Sequence, residues 1–278
     1  MADTVLSTGA SQGIGKATSL LFAHQGYNLV LAARQADRLE AVASDVRAQL
    51  SRRESLGGDA LAVPTDVRDP EQVNTLVQKA LDRYGCIDVL INNAGIYLLG
   101  PVEEFSLSDW HQAIDTNLWG YIHTIHALLP HFLERGRGII VNVGSIGGKV
   151  PIPYQVPYTA SKYAVTGLTE SLQAELKPKG IQVCGVHPNF IKTDLMERAI
   201  FRGKDEQDAQ ERQDLVEKAL KTPMLEEPEK VAQAIWGAVK HQRSDVMVGS
   251  AKVSNAAYKL LPGAMQSVFR KTFATEES

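Results

Sequence analysis

From Val5 to Val248 this chain alternates short runs that are apolar at consecutive positions with longer stretches of helical spacing. A strand apolar on both faces has no side to turn to water, so it must lie in a sheet covered on both faces. Neighbouring parallel strands need long crossovers, which helices supply. Strands are predicted at 5–6, 28–33, 60–63, 87–91, 138–143, 182–186 and 246–248, and helices at 15–25, 36–52, 71–84, 110–134 and 158–176. This order predicts an α/β fold, a doubly wound parallel sheet in a single domain spanning 1–278. In such sheets ligands bind outside the carboxyl ends of the strands.

Composition narrows the function. With 29 Lys+Arg against 32 Asp+Glu the formal charge is −3, which gives a nucleic-acid partner no electrostatic support. Two cysteines, Cys86 and Cys184, stand far apart, excluding a disulfide scaffold or a cysteine-rich zinc site. His123 and His126 have helical i, i+3 spacing but no HExxH context, and no metal is expected. No apolar run reaches the ~18 residues of a spanning helix. The N-terminus passes straight into a strand without a signal peptide, so a reducing cytoplasm is the expected location.

Three segments stand outside the alternation. Residues 51–58 are polar and read as a surface loop. Residues 193–225 are long and charged, with a helical stretch near 205–218. Following the sixth strand, they can cover the crevice as a substrate lid or lie as a solvated helix on the edge. Residues 250–278 form a C-terminal extension with Tyr258, Leu260, Leu261, Met265, Val268, Phe269 and Phe273, broken at Pro262-Gly263. These apolar residues are expected to dock on the enzyme itself or across a subunit interface near the substrate opening. Membrane contact is not expected, because the segment is short and lacks a strong cationic face.

The chemistry-bearing motifs lie at strand ends. Thr8-Gly9-Ala10-Ser11-Gln12-Gly13-Ile14-Gly15 joins the first strand to the first helix. Glycines there let backbone N–H groups approach a phosphate at a helix N-terminus. The second strand ends in Ala33-Arg34, where a dinucleotide site for NAD usually has an acid for the ribose 2′-OH. An arginine suits a 2′-phosphate instead. Tyr158 and Lys162 share a helix face at i, i+4, and a nearby ammonium lowers a phenol's pKa.

Together with Thr65-Asp66-Val67, Asn92-Asn93-Ala94-Gly95, Asn117, Ser145, Pro188 and Thr193, these motifs resemble the classical short-chain dehydrogenase/reductase family of the NADP-preferring type. The resemblance runs from Val5 to about Gly249 and implies a Rossmann-type fold and an NADP(H) cofactor. It implies that Tyr158 is the general acid or base and that Lys162 binds the nicotinamide ribose and depresses the Tyr158 pKa. Ser145 would hold the substrate oxygen, and Asn117 a water in a proton relay. Cofactor contacts are implied for Gly9, Ser11, Gln12, Gly13, Ile14, Gly15, Arg34, Asp66, Val67, Asn93, Ala94, Gly95, Tyr158, Lys162, Pro188, Ile191 and Thr193. A homodimer or homotetramer is implied as well.

The chain departs from the family in three places. Asn189 replaces the glycine usual after Pro188, and Gln12 stands where many NADP-preferring members have a basic residue. Phosphate recognition then leans on Arg34, helped by Ser11 or Lys16. The C-terminal extension argues against an acyl-carrier-protein substrate. The expected activity is NADPH-dependent reduction of a lipophilic ketone or aldehyde, reversible as alcohol oxidation. Apolar candidates at the substrate mouth are Ile96–Leu98, Val150–Tyr154 and the start of the lid, 195–201. The alternative is a 3-ketoacyl thioester reductase. A catalytically idle NADP-binding protein would leave Asn117, Ser145, Tyr158 and Lys162 without a use.

Overall fold

Successive residues of the buried strands point to opposite faces of one sheet, and both faces are dry. The computed structural model describes residues 2–51, 58–192, 199–220 and 225–267. The main strands are β1 (Thr4–Thr8), β2 (Asn28–Ala33), β3 (Ala60–Pro64), β4 (Val89–Asn92), β6 (Gly138–Val143), β7 (Ile181–His187) and β9 (Asp245–Met247). They pair in parallel in the order β3-β2-β1-β4-β6-β7-β9. Val5, Leu29, Leu31, Ile91 and Val141 pack on one face under α1 (Gly13–His24), α2 (Ala36–Ser51) and α8 (Pro228–His241). Their neighbours Leu6, Val30, Leu90 and Ile140 pack on the other under α3 (Pro70–Tyr84), α5 (Gly120–Arg135) and α6 (Val156–Leu176). This is the expected doubly wound, Rossmann-type α/β architecture. The sheet order reverses between β1 and β4, and the crevice opens at their carboxyl ends.

A polar rung crosses this apolar interior. Thr124 Oγ1 donates to Asn92 Oδ1 at 2.6 Å, Asn92 Nδ2 to Asn142 Oδ1 at 3.0 Å, and Asn142 Nδ2 to Thr169 Oγ1 at 2.9 Å. All four residues are buried. The rung fixes α5 and α6 to the ends of β4 and β6, where the catalytic candidates sit.

Several boundaries differ from the sequence pattern. The predicted helix 110–134 is α4 (Leu107–Ile114), a wide π turn (Asp115–Trp119) and then α5. A Ser106 capping box opens α4, four residues before its first strongly apolar side chain in the core-facing pattern, Trp110. Helix α8 escaped notice because Pro228 and Glu229 open it amid charged sequence, although Val231, Ile235 and Ala238 bury one face. Two two-residue strands, β5 (Leu98–Leu99) and β8 (Ile200–Phe201), pair in parallel and have no readable period. The seventh strand lies one residue earlier than expected.

Helix α7 (Glu206–Leu220) follows β8 and is largely solvated. The segment is nevertheless tied down. Arg202 makes a bidentate pair with buried Asp109 at 3.0 and 2.6 Å, and Lys192 N–H donates to the Glu226 carbonyl at 3.0 Å. Helix α9 (Ala251–Leu260) stops at Leu261, and 262–267 is helical again, as the Pro262-Gly263 break requires. Tyr258 and Met265 pack against Ile146, Val150 and Ile152, beside the substrate side of the crevice. Leu195, Met196, Val268, Phe269, Phe273 and most of the 51–58 loop lie outside the described residues.

The rung makes a stability prediction. Asn142→Ala strands polar atoms of Asn92 and Thr169 in the core and should lower unfolding free energy by about 1–3 kcal/mol. Chemical denaturation, followed by the shift in midpoint at unchanged slope, checks it.

Candidate active site

Strand β1 delivers the glycine loop and β4 delivers the Asn-Asn-Ala-Gly turn, and the two are locked together. Thr8 Oγ1 accepts the Asn93 and Ala94 N–H groups at 3.0 and 3.1 Å. Asn93 Nδ2 donates to the Thr8 and Gly9 carbonyls at 3.1 and 3.2 Å. Gly9 has φ +64°, and a Cβ on Gly15 would stand 2.1 Å from the Gly9 carbonyl oxygen. Only glycine permits this close turn into the N-terminus of α1. The N–H groups there form a cradle suited to a pyrophosphate.

The cleft running from this cradle encloses about 1160 Å³, part of it open to solvent. Gln12, Ala33 and Arg34 line one end, Asp66 and Val67 one wall, and Ser145, Tyr158 and Lys162 the other end. Gly9, Gly13, Ile14, Asn93, Ala94, Gly95, Pro188 and Ile191 line it between these points. Ser11 is buried behind the loop, Gly15 packs under Gly9, and Thr193 lies outside the described residues. The cleft thus combines the glycine cradle with the polar groups at Arg34, Ser145 and Lys162 that a dinucleotide needs.

At the inner end Lys162 Nζ donates to the Val143 carbonyl at 3.0 Å and stands 6.0 Å from the centre of the Tyr158 ring. Burial pushes the Lys162 ammonium down to about 8. Burial also raises the Tyr158 phenol, and a hydrogen bond with Ser145 only partly offsets it. The Tyr97 ring meets that of Tyr158 edge-on, with centroids 5.0 Å apart. Asn117, inside the π turn, accepts the Ile96 N–H at 2.8 Å and donates to the Ile96 carbonyl at 3.1 Å and Ser161 Oγ at 3.0 Å. Its amide therefore ties the β4 turn to α6.

The family model described as short chain dehydrogenase matches residues 3–204. The chain belongs to this family. It is 36% identical over 256 residues to a cyclohexanol dehydrogenase of Acinetobacter sp. (strain SE19), spanning 91% of this chain and 93% of that protein. It is 36% identical over 196 residues to the 3-oxoacyl-(acyl-carrier-protein) reductase FabG of Staphylococcus aureus, spanning 70% and 77%. Among solved structures it is similar to a short chain dehydrogenase/reductase from Burkholderia phymatum in complex with NAD, with TM-score 0.84, 26% identity and 95% of both chains covered. A short-chain dehydrogenase from Sphingobium yanoikuyae in complex with NADPH gives TM-score 0.74 at 29% identity, covering 96% and 94%. The chain is accordingly an oxidoreductase that uses a nicotinamide dinucleotide.

Several expectations need correction against this oxidoreductase's geometry. The Tyr158 pKa, expected to be depressed by Lys162, is raised in this structure, because desolvation of the buried phenol outweighs its hydrogen bond with Ser145. Lys16 does not help at the phosphate end, since it pairs with Asp45 on α2 at 3.0 Å. Of the mouth candidates Ile96, Tyr97 and Leu98, only Ile96 lines the cleft. All three are buried and pack, with Phe105 and Ala113, against Tyr158. Asn189 takes no left-handed backbone angle, and its side chain donates to Ser250 Oγ at 2.9 Å instead.

Sequence reasoning missed the support behind Ser145. His187 is buried, with Nε2 2.8 Å from Asp245 Oδ1, and a Cβ on Gly144 would stand 2.5 Å from its Nδ1. The ring backs the loop that carries Ser145 and faces away from the cleft. Asp245 belongs to edge strand β9, and nothing in its local sequence marks it as a partner. Tyr154 was named only for its apolar ring. Its φ of +59° is unusual for an aromatic residue. Its carbonyl accepts the Gly100 N–H at 2.8 Å, and Arg212 of α7 stands over its ring at 5.1 Å. Among the described residues no three His, Cys, Asp or Glu side chains form a group that could hold a metal.

The buried ammonium sets a pH-dependent stability. A lysine whose folded pKa lies below its ordinary 10.5 subtracts stability fully below about pH 8, and the loss fades as pH rises towards 10.5. Lys162→Met removes that loss and also the bond to Val143. The dinucleotide-free variant should be stabilised at pH 7 by about 2 kcal/mol. Thermal melts from pH 7 to pH 10 should show the gain shrinking upward.

Proposed function

We propose that this oxidoreductase is an NADPH-dependent carbonyl reductase, reversible as an alcohol dehydrogenase, acting on a lipophilic ketone or aldehyde. The observation that carries the reading is the convergence of Ser145, Tyr158 and Lys162 in a cleft that also presents Arg34 directly after β2, where no acid stands. A nicotinamide bound at the inner end supplies or accepts the hydride. Ser145 donates a hydrogen bond to the substrate oxygen and steadies its developing charge. Tyr158 gives that oxygen its proton. Its raised pKa keeps the phenol protonated through neutral pH, which suits the acid needed for carbonyl reduction. Lys162 holds ribose hydroxyls and lends positive charge beside the phenol. Oxidation of an alcohol runs the same proton path backward and is favoured at alkaline pH.

The likeness to cyclohexanol dehydrogenase supports a small lipophilic substrate, since it extends over 91% of the chain. The likeness to the acyl-carrier-protein reductase covers 70%. Tyr258 and Met265 wall the substrate side with apolar surface, and α7 with β8 forms the described part of a lid. The described residues contain no helix long and apolar enough to cross a membrane. A cytoplasmic homodimer or homotetramer is part of this reading. Trp119, Leu133 and Tyr163 expose apolar surface on the π turn, α5 and α6.

Tyr158→Phe keeps the ring and removes the proton. Its kcat for ketone reduction should fall at least ~10²–10⁴-fold with cofactor affinity nearly intact. A panel of cyclic ketones and acyl thioesters, assayed with NADPH and with NADH, tests the substrate class and cofactor. Retained turnover in the Phe variant overturns the proton assignment. Preference for thioesters overturns the substrate class.

A further inference from the structure

We propose that His187, pinned by Asp245, is a positioning residue for Ser145 and through it sets the turnover of carbonyl reduction, which rests on the role given to Ser145 above. Ser145 stands just beyond β6, and the N–H groups on either side of it are both held by the chain leaving β7. Gly144 N–H donates to the Val186 carbonyl and Ile146 N–H to the Pro188 carbonyl, each at 2.8 Å. Val186 and Pro188 are the two neighbours of His187. The backbone that carries Ser145 is therefore laid along the backbone that carries the imidazole. The His187 carbonyl in turn accepts the Val248 N–H at 3.0 Å, which ties it to the end of β9.

Two glycines make room for the ring. A Cβ on Gly144 would meet Nδ1 at 2.5 Å, and a Cβ on Gly185 would meet Nε2 at 2.7 Å. Gly185 lies two residues earlier on the same face of β7, so the ring leans back over it. Asp245 pairs with Gly185 in the sheet register, and its Oδ1 accepts the His187 Nε2–H at 2.8 Å. Lys149 Nζ lies 3.5 Å from the same carboxylate oxygen and donates to Glu170 Oε1 on α6 at 2.7 Å. Lys149 closes the short helical turn that Ser145 opens. Asp245 thus holds the Ser145 segment at both ends, through the imidazole behind residue 144 and through the ammonium of residue 149.

An imidazole is an unfavourable filler for this space. His187 is 2% exposed, and its Nδ1 has no hydrogen-bond partner among the described residues. An unmatched buried acceptor lowers stability, and an aliphatic side chain would avoid it. A local rule broken in this way points to a functional constraint. What the ring supplies is a flat, fixed wall: with Nε2 bonded to Asp245 it cannot turn, and Gly144 rests against it. Ser145 needs that fixity, because its Oγ already accepts the Gly147 N–H at 3.1 Å and bonds to Tyr158. A hydroxyl that stabilises developing charge acts only from a set distance, and a misplacement of about 1 Å can cost ~10²-fold in rate. His187 should accordingly act on kcat through Ser145 and leave dinucleotide binding alone.

A double-mutant cycle with Ser145→Ala, assayed with cyclohexanone and NADPH, and a crystal structure of His187→Ala test this. His187→Ala should lower kcat roughly tenfold and change the NADPH Kd about twofold at most. His187→Gln keeps an N–H donor for Asp245 and should stay within about threefold of the wild type, with Asp245→Ala between the two. In the Ser145→Ala background His187→Ala should lower kcat by less than about twofold further, because the group it positions is gone. In the crystal Ser145 Oγ should have left the Gly147 N–H. An unchanged kcat in His187→Ala, an equal loss in both backgrounds, or an unmoved Ser145 in the crystal overturns the proposal. If His187→Ala does not fold, Asp245→Ala takes its place in the cycle and the crystal under the same criteria. Wild-type turnover in Ser145→Ala overturns the role of Ser145 itself. An impaired Ser145→Ala with an undiminished His187 effect overturns only the role of His187.

Discussion

Burying one ammonium group is the most demanding thing this fold does, and much of the site follows from it. Lys162 sits within the protein with the Val143 carbonyl as its hydrogen-bond acceptor and the Tyr121 ring 5.3 Å from its charge. The same carbonyl accepts the Tyr121 hydroxyl at 2.9 Å. Val143 is the last residue of β6, so the ammonium rests on the end of a strand fixed on both sides by parallel neighbours. Desolvation makes the charge unstable, and the sheet keeps the chain from relaxing around it. An anionic or hydroxyl-rich ligand in the cleft restores what burial removes. The cleft is thus primed for its cofactor by the same desolvation that lowers its own stability.

The polar rung and the Asn117 side chain serve that placement. Both replace water with paired amides and hydroxyls where helices cross the sheet ends. Four buried polar side chains in line would be destabilising singly, and together they hold α5 and α6 at one depth. Depth matters because Tyr158 and Lys162 hang from α6 while Ser145 hangs from β6.

Much of this was legible in the sequence because strand and helix each impose a short period, and buried parallel strands show none of the polar alternation that confuses other sheets. The glycine loop, Arg34 and the Tyr158–Lys162 pair could be found because each sits at a strand end or a helix spacing visible within a few residues, whereas Ser145 and Asn117 came only with the family resemblance. What could not be read depends on distant pairing. Leu98 meets Ile200 in a sheet too short to have a pattern. Asp245 becomes the partner of His187 only once β9 lies beside β7. Gln12 meets Arg38 only once α2 lies beside the glycine loop. The raised Tyr158 pKa was missed because an i, i+4 rule gives the neighbour and not the desolvation.

The placement of β1 has a consequence for how the chain becomes this structure. Strand β1, made before the other strands of the sheet, lies inside it with β2 on one side and β4 on the other. Val5 pairs with Val89, so one edge of β1 has no neighbour until more than eighty further residues exist. Until then a fully apolar strand has an open edge, the condition under which chains stick to one another. Loop closure over such distances makes assembly slow compared with helix formation. On the ribosome, therefore, the glycine loop that follows β1 is made long before the turn it packs against. It acquires its shape only when Asn93 arrives to close it against Thr8.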